Sequence, residues 1–519
     1  MQVDSHSQLL LKYKRVYACL MDAAESNIAA HRLERGGFIL KAAIDLAQTH
    51  FHGLVEDRRL NYLIRDLAQR EFGPRVELQA NSKIRTVGFF IRHFLDVRGV
   101  GKSIFYLADY LRETGWRPIF FLLEPPSNSE SDLARRVCEA DLPVRHLTTE
   151  QCPLSRARQL KKMLHDEDVT VVFNYDYGDS LCGLLALLGG ASPKVINHQL
   201  TDHLLSCNIH DFECHLAHRR APFAYCGSAF NEKTCRMLPL PGSIVFGSTP
   251  QGQVSRSDLG VPEDAPVLLA VTSLLKLTGD DLWFRCLDEV LVSCPNAHFV
   301  IVGGGDSASK NWANEQILSM RSKSRVHAIG SRRDVPAILP TADVFIDSHP
   351  IGGITACLEA MAAGIPIVTL SEGRAVLFGT EEFVQLPECI ATSQAEFISK
   401  VLVFLTDSTI AADTGSKLKQ IYERQFNPAA VVDRYHRLAL EIVEAPLNEG
   451  SGRLSESRDW NEYQEVQLAN AAERAHGEYW IDAMAGYPAL GLHAVWHESR
   501  ILLRPRFWRT VASGLLKPK

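Results

Sequence analysis

The chain has 519 residues, with 55 Lys plus Arg against 61 Asp plus Glu and a formal net charge of −6. Hydrophobic residues make up 46% and charged residues 22%. That is enough apolar material to offset the entropy of ordering, so disorder over most of the chain is excluded. The mildly acidic balance argues against nucleic acid held by bulk positive charge. At about 150 residues per domain the length predicts three or four domains. No apolar run reaches the ~18 residues that span a bilayer. The first residues, where Lys12 and Lys14 interrupt the apolar stretch, are not read as a signal peptide. Twelve scattered Cys, without a C-x-x-C pair, predict a reducing, cytoplasmic setting in which most act as small buried hydrophobes.

Residues 1–82 are predicted to form an all-helical domain. Apolar residues recur at helical spacing through Phe38, Ile39, Leu40, Ala43, Ile44 and Leu46, then through Leu60, Leu63, Ile64 and Leu67. From Ile84 the pattern changes to strand–helix alternation. Strands are predicted at Ile84–Ile91, Arg117–Leu123, Val169–Asn174 and Lys194–Asn197, and helices at Ser103–Thr114 and Asp179–Leu188. Such alternation implies a parallel sheet covered on both faces, here over 83–245. A stretch rich in Pro, Gly and Ser from Leu238 to about Asp258 is the predicted linker. A second alternation fills 258–445. Its predicted strands are Val267–Val271, His298–Val302, Asp343–Asp347 and Pro366–Leu370, with helices at Asp280–Ser293 and Thr355–Ala363. Residues 447–519 read as a tail with a helix at Glu465–Ala475. It ends in basic and aromatic residues, Arg500, Arg504, Arg506, Phe507, Trp508 and Arg509. That end is expected to meet an anionic membrane or a partner, or to pack as a helix, with Pro505 weakening an amphipathic reading.

The richest stretch runs from Ala342 to Val368: strand, Gly352-Gly353 turn, helix, Gly364-Ile365-Pro366 turn, strand. The glycines admit close backbone approach, and the helix N-terminus offers free N–H groups and positive dipole to a phosphate. Glu359 follows Thr355 at i, i+4, on the same helix face, where a carboxylate can accept bonds from ribose hydroxyls. A plain βαβ turn with a solvated Glu has the same spacing.

This stretch resembles the nucleotide-sugar site of GT-B glycosyltransferases. It aligns without gaps to the O-linked N-acetylglucosamine (O-GlcNAc) transferase pattern A-D-V/I-x-L-D-x-x-P-x-x-G-H-T-T-x-x-D/E-x-L-x-x-G-x-P-x-V. The resemblance puts Thr355 and Ala356 where the phosphate-binding Thr pair stands and Glu359 at the ribose-binding carboxylate, while Ile354 replaces the His. Upstream, Thr272-Ser273-Leu274-Leu275-Lys276-Leu277 resembles the N-x-x-Y-K-I/L segment. Lys276 thereby falls on the lysine that contacts the donor diphosphate, where it would neutralise charge on the leaving group. Arg332 matches another basic residue suited to a phosphate, or is a solvated charge.

The first domain matches less closely. The catalytic-site His after the first strand is absent, Val97 and Arg98 lying near its place. Arg98-Gly99-Val100-Gly101-Lys102-Ser103 instead resembles the Gly-rich first loop of the retaining glycogen and sucrose synthase-like enzymes, which faces the donor phosphates; it is not a Walker A motif. Those enzymes carry E-x7-E ending at the position of Glu359, but Ile351 stands at its first Glu. Asn197-His198 ends a strand, as a His does near the donor sugar in many retaining enzymes; a lone His is equally a structural or exposed one. His198, His203, His210, His215 and His218, with Cys207 and Cys214, crowd one stretch without tight ligand spacing, so no metal is expected. Gly303-Gly304-Gly305 is read as the end of a strand.

The resemblance implies an α/β, GT-B fold of two Rossmann-like domains facing a cleft, plus the N-terminal helical domain. It implies a cytoplasmic glycosyltransferase with a UDP-sugar as donor and no cofactor or metal. The acceptor is expected to be a protein side chain, as in bacterial relatives of the family. The alternatives are a retaining enzyme of cell-surface polysaccharide or lipid-linked glycan synthesis, which would be membrane-associated, and a non-catalytic scaffold that binds nucleotide sugar or a partner.

Overall fold

The computed structural model describes residues 2–49, 57–79, 84–92, 98–124, 132–147, 152–176, 180–199, 211–217, 234–239, 254–278, 281–332, 334–371 and 379–448. The expected tail helix, the basic-aromatic end, His203, Cys207, His210 and His218 lie outside these residues. The chain divides into two compact units. Met1–Leu238 with Arg434–Lys519 forms one, and Pro239–Asp433 the other.

The first unit begins with three helices, Gln2–Ala29, Leu33–Thr49 and Arg58–Phe72. The third shows why the sequence folds this way. Asp57 caps it, Oδ1 accepting from the Arg59 and Leu60 amides at 2.7 and 3.3 Å. Leu60, Leu63, Ile64 and Leu67 form its buried stripe. Gly73 ends it at φ 82°, a left-handed conformation that suits glycine.

Nine strands follow among the described residues: β1 (Val76–Glu77), β2 (Thr86–Ile91), β3 (Arg117–Leu122), β4 (Val144–His146), β5 (Val169–Asn174), β6 (Ala191–Ser192), β7 (Lys194–Gln199), β8 (Cys214–Ala217) and β9 (Cys235–Met237). Seven form a parallel sheet in the order β4-β3-β2-β5-β7-β8-β9, and β1 pairs with β6. Every residue of β2 is buried, as expected of a strand covered on both faces. The N-terminal helices share one apolar core with this sheet and with the helices Pro153–Asp166 and Leu181–Leu188.

The second unit carries β10 (Val267–Val271), β11 (His298–Val302), β12 (Val326–Gly330), β13 (Val344–Ile346), β14 (Ile367–Leu370) and β15 (Ile390–Ala391). They form a parallel sheet in the order β12-β11-β10-β13-β14-β15. Its core is built around the fully buried Trp283 and Phe299, whose rings meet edge to face at 5.4 Å. Parallel pairing brings all C-terminal strand ends to one edge. The strand order reverses between β10 and β13, and the crevice outside such a reversal is where open α/β sheets bind ligands. Among the described residues, no helix is long and apolar enough to cross a membrane.

Candidate functional site

At the reversal in the second unit, the turn after β10 meets the turn after β13. Leu274–Leu277 is a single 3-10 turn. It is anchored by the Leu274 amide donating to the Gly304 carbonyl at 2.9 Å. Lys276 Nζ donates to the Gly352 carbonyl at 3.0 Å, and the Ile351 amide approaches the Lys276 carbonyl at 3.4 Å. The ammonium therefore lies beside the turn that opens the helix Ile354–Ala363.

That helix has the shape the sequence predicts, one residue longer at its start. Cys357, Leu358, Ala360 and Met361 are buried, while Thr355, Ala356 and Glu359 remain partly exposed. Its first-turn N–H groups have no acceptor within the helix. Burial, and then the charge of Asp347, hold the Cys357 thiol well above its usual pKa, so it stays neutral under the turn. Lys276, Gly352, Gly353, Thr355, Ala356 and Glu359 thus gather around one turn and one helix.

Arg332 lies on the segment after the sheet's edge strand. It follows β12, two strands from β10, and its guanidinium forks onto Asp334 at 2.8 and 2.6 Å. Gly303 ends β11 against the next strand. A Cβ there would lie 1.7 Å from the Thr272 carbonyl oxygen, so only glycine fits.

In the first unit the strand order reverses between β2 and β5. Arg98-Gly99-Val100-Gly101-Lys102-Ser103 was expected as a loop. The structure instead starts the helix at Arg98, so these residues form its opening turns. The side chain of Lys102 lies outside the described residues. His198, expected near the donor sugar, is fully buried. Its Nε2 lies 3.2 Å from the Tyr435 hydroxyl, and its ring lies 4.9 Å from that of Tyr175 and 5.4 Å from that of Tyr435. That is the packing of a core histidine. Beside it runs a buried polar chain, from Asn174 Nδ2 to Asn197 Oδ1 at 2.9 Å, and from Asn197 Nδ2 to His215 Nδ1 at 3.3 Å.

The sequence reading gave no role to Asp347, Thr369 and Thr380. The signal for Asp347 was an Asp at a strand end with a Gly pair five and six residues later, the composition of a side-chain-closed turn. Among the described residues, no three His, Cys, Asp or Glu side chains gather to hold a metal ion.

Residues 265–407 match the family of glycosyl transferases group 1. The chain is 30% identical over 151 residues to the Escherichia coli UDP-Gal:alpha-D-GlcNAc-diphosphoundecaprenol alpha-1,3-galactosyltransferase, covering 29% of this chain and 38% of that one. It is 24% identical over 178 residues to the GDP-mannose-dependent monoacylated alpha-(1-6)-phosphatidylinositol monomannoside mannosyltransferase of Corynebacterium glutamicum, covering 31% and 44%. The matches span between about a third and under half the length of these curated relatives. Among solved structures, HepE of Anabaena in complex with UDP and glucose superposes with a TM-score of 0.55 at 14% identity, over 69% of this chain and all of that one. The fold is that of the GT-B glycosyltransferases.

Proposed function

We propose that the chain is a glycosyltransferase that takes a sugar from a nucleotide-diphosphate sugar, with UDP as the nucleotide, and passes it to a glycan acceptor carried on a lipid. One observation carries the reading: Lys276 Nζ lies 3.0 Å from the Gly352 carbonyl, at the strand-order reversal and beside the start of the helix that bears Glu359. In transfer, the bond from the sugar C1 to the diphosphate oxygen breaks and a bond from C1 to the acceptor oxygen forms. Negative charge grows on the departing diphosphate, whose oxygen takes up the proton that the acceptor hydroxyl gives up. A fixed ammonium and a helix N-terminus stabilise that charge without reorganising. Glu359, one turn into the helix, accepts bonds from the ribose hydroxyls.

The family match over 265–407 falls on this donor-side unit and supports the reading. The lipid-linked acceptor is supported by the names of two relatives, one acting on a diphosphoundecaprenol and one on a phosphatidylinositol mannoside. A protein acceptor is the second reading. The N-terminal helices favour it less than expected, because they share the core of the first sheet. The test is nucleotide release from UDP-sugars and GDP-sugars with diphosphoundecaprenol-linked GlcNAc or protein as acceptor. UDP release stimulated by the lipid-linked acceptor is expected. No release from any donor would reject the enzyme reading, and stimulation by protein alone would favour the second.

A further inference from the structure

We infer that Asp347 is a positioning residue for the donor site: its buried carboxylate sets the Gly352-Gly353 turn on which Lys276 and the helix N-terminus converge. The inference rests on the proposed donor reading and deepens it.

Asp347 follows β13 and is 1% exposed. Its Oδ1 accepts from the Ser348 amide at 2.8 Å and the Gly353 amide at 2.7 Å. Its Oδ2 accepts from the hydroxyls of Thr369 at 3.0 Å and Thr380 at 2.5 Å. A carboxylate has about four acceptor sites, and these donors engage both oxygens, with the Cys357 thiol also against it. Its main-chain carbonyl takes the Trp283 indole N–H at 2.8 Å, tying the turn to the core.

Two consequences follow. The Gly353 amide turns inward to Asp347, so the N–H groups offered outward are those of the next residues of the helix. The Gly352 carbonyl then stands where Lys276 Nζ reaches it. Sterics do not impose this shape. Gly353 has φ −97°, open to any residue, and a Cβ there would meet its nearest neighbours at ordinary contact distances of 3.4 Å and more. The charge-assisted bonds to Asp347, about twice as strong as neutral ones, are what fix it. Thr380 also donates to the Thr369 hydroxyl at 3.0 Å, closing the same network.

The test is calorimetric titration of the full chain with UDP, with melting measured in parallel. Asp347→Ala is expected to bind UDP about tenfold more weakly or worse, equivalent to about 1.4 kcal/mol, while keeping its far-UV spectrum. Asp347→Asn keeps an oxygen for the Ser348 and Gly353 amides but loses the charge, so its affinity should fall between those of the unsubstituted chain and Asp347→Ala. A residue needed only for folding would lower the melting temperature and leave the affinity of the folded protein unchanged, and that result overturns the inference. If Asp347→Ala does not fold, Thr380→Val replaces it: weaker UDP binding supports the inference and unchanged affinity overturns it. Absence of UDP binding by the unsubstituted chain would remove the donor reading itself.

Discussion

Lys276→Met tests the donor site by separating two parts of one ligand. Met keeps much of the length of the side chain and removes its charge. The Lys276 ammonium lies 3.0 Å from the Gly352 carbonyl, so it is held at the turn before any nucleotide arrives. A hydrogen bond to a charged group contributes about 1.5–3 kcal/mol. At about 1.4 kcal/mol per factor of ten, UDP affinity should fall roughly tenfold to a hundredfold. Uridine carries the same base and ribose without phosphates, so its affinity should change by no more than about threefold, about 0.65 kcal/mol. Calorimetric titration of both ligands into both proteins reads the difference directly. Equal losses for uridine and UDP would show that the substitution disturbs the fold rather than a phosphate contact. Unchanged UDP affinity in a folded variant would refute the assignment.

Glu359→Gln should weaken uridine and UDP by the same factor, about tenfold on the scale of one charged hydrogen bond; a loss confined to UDP would move Glu359 from ribose to phosphate. Gly303→Ala places a methyl 1.7 Å from the Thr272 carbonyl oxygen. It should lower the melting temperature of the second unit and weaken UDP binding, because Thr272 leads into the Lys276 turn; wild-type melting would contradict that packing. His298 Nδ1 and His327 Nε2 lie 2.9 Å apart, so the pair shares one hydrogen. Burial lowers both pKa values, followed by the charge of Arg325 on His298 and of His298 on His327. Below the ordinary histidine pKa of about 6.5 the unfolded chain takes up protons that the folded pair resists. Stability contributed by this pair is therefore present above about pH 6.5 and is lost as pH falls through the lowered values. The second unit should melt lower at pH 5.5 than at pH 7.5, and His327→Gln should flatten that slope; an equal slope in the variant would sink the explanation.

The long apolar strands were legible in the sequence because they are buried on both faces. Val169–Asn174, Val267–Val271 and His298–Val302 appear with the predicted bounds. Short or mixed strands were not. Val144-Arg145-His146 and Cys235-Arg236-Met237 have no apolar run, and Val326–Gly330 is only partly buried or exposed along its length. These strands exist because a neighbour supplies hydrogen bonds, which no local pattern records. The Lys276, Gly352, Gly353 and Glu359 grouping was visible through the resemblance, since strand–turn–helix order alone places such residues at one sheet edge. Asp347 was hidden, because its four donors come from the turn, from β14 and from Thr380, more than thirty residues away. His198 shows a second thing that a local pattern leaves out. A histidine at a strand end has the sequence of a ligand-facing residue, and the packing of its ring between Tyr175 and Tyr435 comes from residues distant in the chain.

The most direct measurement of the central claim is the crystal structure of the full chain with UDP. The diphosphate should lie against Lys276 Nζ and the amides of Thr355 and Ala356, with the ribose hydroxyls on the Glu359 carboxylate. UDP bound away from this turn, or with its phosphates remote from Lys276, would contradict the site proposed here.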